Sequence, residues 1–528
     1  MKRSGILIGT FVLALAMSLF VAGCGDDGSS STPAPATGTL SGTATDNSAN
    51  PLDNYVRLSI APSGGGTATN VQTNASGAYS ASLPAGDYRL TATRPGYGEH
   101  ASGTLTVTAA QTTTHDFSLT PLPPNTYIGS ADCGVCHAAN YGTFVKTGHN
   151  FKLNKVVNAT VPTFPFSTID GALERITGTS NTLGAPASYA NVTYVIGGYG
   201  WKARWMDAAG YIITGTQVQY NLATKTMSAY DNGVVNKPYD CGNCHVTGWK
   251  HFDAALNPNR QDNLAGIDGT FDQTGIQCES CHGAGSTHAR TMLAADITRV
   301  ATARTTADFL AADMAYGKAV ACSECHTRDG EKDYPAYVSP FTDNSALDIP
   351  GGRIMAKGGL IEHHEQYDEL LGVDPDDTAG GSTHTAAFQA TKLGCTSCHN
   401  THTTTKYQTV SGDLRGAANT NADCLACHPT YAITTGGMTG LNCIDCHMPF
   451  LVKSAVNSGT FTGSDNVVRN LGDIRSHIFR IDLTQANQFT ASGGFAYPWI
   501  TGDYACRRCH SPGGGAHTIS FPNALTIH

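Results

Sequence analysis

The stretch Cys278-Glu279-Ser280-Cys281-His282-Gly283-Ala284-Gly285-Ser286-Thr287-His288 decides how the rest of the chain reads. Two thiols three positions apart share one face of a helical turn, and an imidazole follows the second directly. Such a turn offers both sulfurs to the two vinyl groups of one porphyrin and aims the imidazole at its iron. That is the chemistry of covalent c-type haem attachment.

The pattern occurs eight times. The pairs are Cys133/Cys136 with His137, Cys241/Cys244 with His245, Cys278/Cys281 with His282, and Cys322/Cys325 with His326. They continue with Cys395/Cys398 and His399, Cys424/Cys427 and His428, Cys443/Cys446 and His447, and Cys506/Cys509 and His510. Structural zinc wants Cys/His sets in fours, and a thioredoxin-like site wants one Cys-x-x-Cys in a βαβ setting. Disulfides would not require a His after every second Cys. The motifs therefore predict eight covalent haems.

Each iron has a sixth position. Twenty His are present, and the eight motifs leave twelve. His100 and His115 fall outside the motif region and read as surface or structural residues. From the remaining ten, His149, His288, His363, His364, His384, His402, His477 and His517 form the expected distal set, with one of the adjacent His363 and His364 ligating. His251 and His528 are left out of that set, and Met448 reads as haem packing. The ten remaining His are enough in number for bis-His coordination of all eight irons, which suits low-potential electron transfer rather than substrate binding.

Around the motifs, composition sets bounds. The chain has 528 residues, 40% hydrophobic but only 14% charged, with 59 Gly and a formal net charge of −9. Nucleic acid, which demands clustered Lys and Arg, is excluded as a partner. Lys2 and Arg3 precede an apolar run from Ile6 to Val21, too short and too early for a membrane span. It ends in Val21-Ala22-Gly23-Cys24, which resembles the lipobox of bacterial lipoproteins and implies lipidation of Cys24, the one Cys outside the motifs. Residues 1–23 are then a signal peptide and 24–37 a Ser/Pro tether.

Residues 38–121 alternate apolar and polar positions in short runs split by Gly, Asn and Pro, which predicts a small antiparallel β-sandwich. The string from Asn74 through Leu90 (Asn-Ala-Ser-Gly-Ala-Tyr-Ser-Ala-Ser-Leu-Pro-Ala-Gly-Asp-Tyr-Arg-Leu) resembles the carboxypeptidase-regulatory-like β-sandwich, which implies a spacer or adhesive module without catalytic residues. Residues 122–528 read as a mostly irregular, short-helix multihaem domain in which macrocycles supply the apolar interior. Within it, Val192 to Tyr230 alternates and predicts a few strands.

The motif region resembles the multihaem cytochromes c of nitrification and metal-reduction pathways. Tyr127 through His137, followed by Tyr141 and His149, is similar to their opening haem module, in which the later His is an axial ligand. Cys278 through His288 and Cys395 through His402 have the family's short-range distal His pattern. Cys443-Ile444-Asp445-Cys446-His447-Met448-Pro449 followed by Gly472 through His477 resembles a C-terminal pair. The resemblance implies stacked and perpendicular haem pairs in a continuous wire. Ammonia-forming nitrite reductases of this group attach their active haem through Cys-x-x-Cys-Lys, and no such motif occurs here. The expectation is an exported electron carrier at the outer membrane or surface of a Gram-negative bacterium. Its partners are other redox cytochromes, metal oxides and, through the lipid, the membrane; the alternative is an octahaem oxidoreductase acting on a small nitrogen or sulfur compound.

Overall fold

A computed structural model describes residues 35–328, 352–376, 395–403, 424–425, 427–431, 441–507 and 509–510. Residues 1–34, which include Cys24, the expected signal peptide and most of the expected tether, lie outside the described residues, as do His384, His517 and His528.

The first domain is two packed antiparallel-rich sheets. Strands β1 (Thr37–Asp46), β2 (Arg57–Pro62), β3 (Thr69–Gln72), β4 (Ala78–Pro84), β5 (Gly86–Thr93), β6 (His100–Ala101), β7 (Leu105–Val107), β8 (Thr112–Thr114) and β9 (Phe117–Leu119) build it. One sheet runs β4-β1-β8 with β9 also on β1; the other runs β3-β2-β5-β6 with β7 on β5. The alternation in the sequence becomes the two faces. In β4, Tyr79, Ala81 and Leu83 are buried while Ser80, Ser82 and Pro84 are exposed. In β5, Tyr88, Leu90 and Ala92 turn inward. These residues share one core with Leu40, Val56, Leu58, Ile60 and Leu119. The turn into β4 is set by Asn74, whose Oδ1 accepts from the backbone N–H of Ser76 and Ala78, with Gly77 at φ +74° where a side chain would be strained. Leu90 is fully buried, so Leu90→Ala should cost about 2–5 kcal/mol of the sandwich's stability. Thermal unfolding followed by circular dichroism would register it; an unchanged transition would contradict this packing.

The predicted strands between Val192 and Tyr230 are present. Strands β10 (Leu153–Lys155), β11 (Thr177–Thr179), β12 (Tyr194–Gly197), β13 (Lys202–Met206), β14 (Gly215–Asn221) and β15 (Thr226–Tyr230) form one sheet, ordered β10-β12-β13-β14-β11 with β15 on β14. Its faces bury Trp205, Val195, Ile213 and Val218 on one side and Tyr194, Met206, Ile212 and Tyr239 on the other. A further four-stranded sheet joins Ile354–Lys357, Leu360–Glu362, Val452–Lys453 and Phe495–Ala496. Its strands are two to four residues long and come from distant parts of the chain, too short to leave a period in the sequence.

Two contacts fasten the sandwich to the motif region. Gly96 packs against the backbone and side chains of Ser286–Arg290, and the Arg290 guanidinium donates to the Leu122 carbonyl at 2.6 Å. Among the described residues no helix is long and apolar enough to cross a membrane.

Candidate haem-ligating site

Most of the motif cysteines lie on or directly beside short helices and turns. These are Ser130–Cys136, Gly242–His245, Cys278–His282, Cys322–Cys325 and Cys443–His447, a 3-10 turn at Cys395–Ser397 and a π turn at Asp503–Arg507. None of the motif cysteines is drawn into a disulfide. Such short helices have little stability of their own, so their neighbours must hold them.

Cys398, Cys427 and Cys509 are exposed, as are Cys136 and Cys281. Each is the second cysteine of its motif, and the first cysteines Cys395, Cys424, Cys506, Cys133 and Cys278 are all partly buried. The second cysteines Cys244, Cys325 and Cys446 are partly buried, so place within the motif does not by itself set exposure. An exposed thiol keeps its capacity for a thioether bond, which needs access to a vinyl group at the porphyrin edge rather than a protein wall. The backbone supports this placement, because the N–H groups of Cys398, Cys427 and Cys509 donate to the carbonyls of Cys395, Cys424 and Cys506, each at 3.2 Å. These bonds hold the two sulfurs of each motif on one turn even where no named helix spans it.

Acidic residues inside the motifs do much of the holding, and the sequence reading passed over them. Glu279, between Cys278 and Cys281, is 1% exposed. Its carboxylate accepts from the N–H of Ile128 at 2.9 Å, Gly129 at 2.8 Å and Gly285 at 2.8 Å, and from Gln273 Nε2 at 2.8 Å. One side chain thus binds the loop leading into the first motif to the third motif. Glu324, between Cys322 and Cys325, pairs with Arg304 at 2.9 Å, both side chains being buried. It also accepts from the Ala321 N–H at 2.9 Å. Asp445, between Cys443 and Cys446, pairs with Arg475 at 2.9 Å, and Arg475 also donates to the carbonyls of Ile444 and Met448. That grip carries the segment ending in His477 onto the seventh motif. All three acids lie in the first turn of their helices, where the dipole favours negative charge. An acidic residue inside Cys-x-x-Cys was the available signal.

Cysteines of separate motifs lie side by side: Cys133 neighbours Cys278, Cys244 neighbours Cys325, and Cys322 neighbours Cys395, in each pair close enough for one thiol to shift the other's pKa. Cys446 lies close enough to Cys506 to raise its pKa, though burial is the larger cause.

Imidazoles then come together in pairs. His137 faces His288 with ring centroids 6.2 Å apart, and His282 faces His402 at 6.2 Å. His326 faces His149 at 6.4 Å, and His399 faces His477 at 6.0 Å. Two metal–nitrogen bonds of about 2.0 Å, with about 1.1 Å from each nitrogen to its ring centre, span about 6.2 Å. The four pairs therefore fit one iron apiece. Each pairing crosses between motifs. His288, just after the third motif, faces the His of the first; His402, just after the fifth, faces that of the third; His149 faces the fourth.

The second nitrogens are tethered in the way metal-bound imidazoles require. The Nδ1 of His282 donates to the Thr298 carbonyl at 2.7 Å, that of His447 to the Phe479 carbonyl at 2.7 Å, and that of His288 to the Leu293 carbonyl at 2.9 Å. His326 Nδ1 meets Gln366 Oε1 at 2.7 Å. Because these oxygens only accept, Nδ1 carries the proton and Nε2 keeps its lone pair. Burial pushes His149, His245 and His477 down to about 3, so all three are neutral and able to ligate.

His364 lies 5.7 Å from His326, ring to ring. Its neighbour His363 has Lys202 Nζ 3.5 Å from Nε2, and Lys202 also donates to the Ser454 carbonyl at 2.6 Å. His251 accepts a hydrogen bond at Nε2 from Asn243 Nδ2 at 3.2 Å. His428 packs edge-on against Tyr431, and the described chain stops at His510.

These features are shared with known families. Residues 202–283 match the cytochrome c554 and c-prime family, and residues 387–433 match the doubled CXXCH motif. The chain is multihaem cytochrome c-like. Its motifs carry covalent haem c, and electron transfer is the activity consistent with them. Residues 39–120 match the carboxypeptidase regulatory-like domain. Among solved structures, the chain is similar to the outer cell wall cytochrome OcwA at 16% identity, covering 76% of this chain and 86% of that one with a TM-score of 0.42. It is similar to the undecahaem cytochrome from the S-layer of Carboxydothermus ferrireducens at 19% identity, covering 62% and 51% with a TM-score of 0.33. The sandwich alone is similar to the minor pilin GBS52 of Streptococcus agalactiae at 23% identity, covering 17% and 46% with a TM-score of 0.15. No curated protein matches the chain.

Proposed function

We propose that this protein is an exported, lipid-anchored cytochrome carrying eight covalent haems, which relays electrons between redox proteins and an extracellular or periplasmic acceptor such as a metal oxide. The observation that carries the reading is the linkage of the motifs. Neighbouring cysteines bring the first motif beside the third, the second beside the fourth and the fourth beside the fifth. The His282–His402 pair links the third to the fifth, and His399–His477 links the fifth to the seventh. The seventh adjoins the eighth. Haems held on the first five, the seventh and the eighth of these motifs form one connected series, with the fifth at a junction.

The ligands we assign are the eight motif His, with His149, His288, His402 and His477 on the distal sides. Lys202 occupies the nitrogen His363 would offer, so His364 is the ligating member of that pair. His384 and His517 bring the proposed distal set to seven, and the eighth comes from His251 or His528. When bound, the haems supply the redox chemistry; the chain supplies neutral, oriented imidazoles and a dry surrounding for them. Cys24 with the tether, and the sandwich as a spacer on residues 38–121, would hold residues 122–528 away from an outer-membrane surface. The negative net charge favours positively charged partner patches or metal cations.

Pyridine haemochrome analysis of the purified full chain should return eight haems, with electron paramagnetic resonance showing low-spin iron throughout. A high-spin centre in the wild-type protein would sink the bis-His relay and favour an oxidoreductase. Separately, Cys24→Ala should move the protein from the membrane fraction to the soluble exported fraction; retention in the membrane would refute the anchor.

A further inference from the structure

His100 and His115, set aside in the sequence as structural residues, meet in the sandwich. His100 is on β6, whose backbone pairs with Ala92 of β5 in one sheet. His115 follows β8 and precedes β9 in the other sheet. Their Nε2 atoms stand 3.4 Å apart, with ring planes at 35°. Two metal–nitrogen bonds of about 2.0–2.1 Å meeting at a tetrahedral angle separate their donor atoms by about 3.3–3.4 Å. We propose that His100 and His115 form a two-imidazole site for a divalent transition-metal ion of the zinc class, bridging the two sheets of the sandwich.

The surroundings hold both ligands in place. The His115 carbonyl accepts from Tyr79 Oη at 2.6 Å, and its N–H donates to the Ser41 carbonyl at 2.8 Å. Gly42 lets β1 approach so closely that a Cβ there would lie 2.0 Å from the His115 carbonyl oxygen. The His100 ring is stacked on Phe117 at 4.6 Å and 13°. Asp116 places a carboxylate near His115, held by the Thr43 N–H at 2.7 Å and Thr43 Oγ1 at 2.6 Å. It offsets the charge of a bound cation. Burial, followed by the neighbouring His115, lowers the pKa of His100 and keeps it neutral for metal. Two protein ligands leave the other positions to water, so the site is exchangeable rather than a permanent structural centre. The ligand order makes Cu(II) the tighter competitor at the same imidazoles.

None of these residues belongs to a haem motif, so the site is independent of the relay. The test is zinc binding by the purified holoprotein, measured by isothermal titration calorimetry, for wild type, His100→Gln and His115→Gln. The wild type should bind one zinc equivalent that both variants lose, or bind about 100-fold more weakly, with haem content unchanged. Retention of that equivalent by either variant overturns the proposal, as does a wild type that binds none. Zinc-edge X-ray absorption on the wild type supplies a readout that does not depend on variant folding: two imidazole nitrogens support the site, and sulfur ligation refutes it.

Discussion

Glu279→Ala should destabilise the haem-bearing domain by about 3–5 kcal/mol, the cost of leaving several buried N–H donors without an acceptor. The change removes one carboxylate and leaves the N–H groups of Ile128, Gly129 and Gly285 facing a space from which water is largely excluded. Each buried donor left without an acceptor carries a penalty of about 1–3 kcal/mol. The damage should spread beyond one motif, because Ile128 and Gly129 lead directly into the helix bearing Cys133 and Cys136. Denaturant unfolding should show the loss, and the spectra should show the first and third haems becoming labile together. Glu279→Gln, which keeps an accepting oxygen, should cost much less. Equal stabilities for wild type and Glu279→Ala would mean that the carboxylate does not join the two motifs.

Replacing His288 changes the relay at one point. His288→Ala should convert one iron from low-spin to high-spin, visible as a single new paramagnetic resonance component, while the haem content stays whole. His288→Met should keep that iron low-spin and raise its potential by on the order of 0.1 V, since axial ligands tune haem over a span of about 0.8 V. The affected haem should be the one bound at Cys133 and Cys136, although His288 follows the third motif in sequence, because His288 faces His137. A ligand change at the haem of Cys278 and Cys281 would overturn the pairing.

The eight motifs and the first sandwich were legible because both are local. Cys-x-x-Cys-His needs only one turn of helix, and β4 writes its two faces into consecutive residues, from Tyr79 to Pro84. The strands between Val192 and Tyr230 were legible for the same reason. The four-stranded sheet that joins Ile354–Lys357 to Phe495–Ala496 was not, since its members are far apart in the chain and too short to show a period. Nor was the exposure of Cys398, Cys427 and Cys509, because a motif names its two thiols without saying which one the fold will cover. Glu279, Glu324 and Asp445 went unremarked because a variable position inside a motif carries no sign of what it will touch.

The amino-acid sequence alone determined the chemistry available: which thiols can hold a macrocycle, which imidazole stands beside them, and how many further His there are. Spacing along the chain could not assign those further His. The structure brings His288 to His137, His402 to His282 and His477 to His399, each across a motif boundary. It also turned His100 and His115 from two unremarkable sandwich residues into a facing pair. The physical reason is the same in both cases. Ligation needs two nitrogens within a few ångströms on opposite sides of a metal, and that distance is set by packed acids, glycine contacts and sheet pairing between segments the chain keeps far apart.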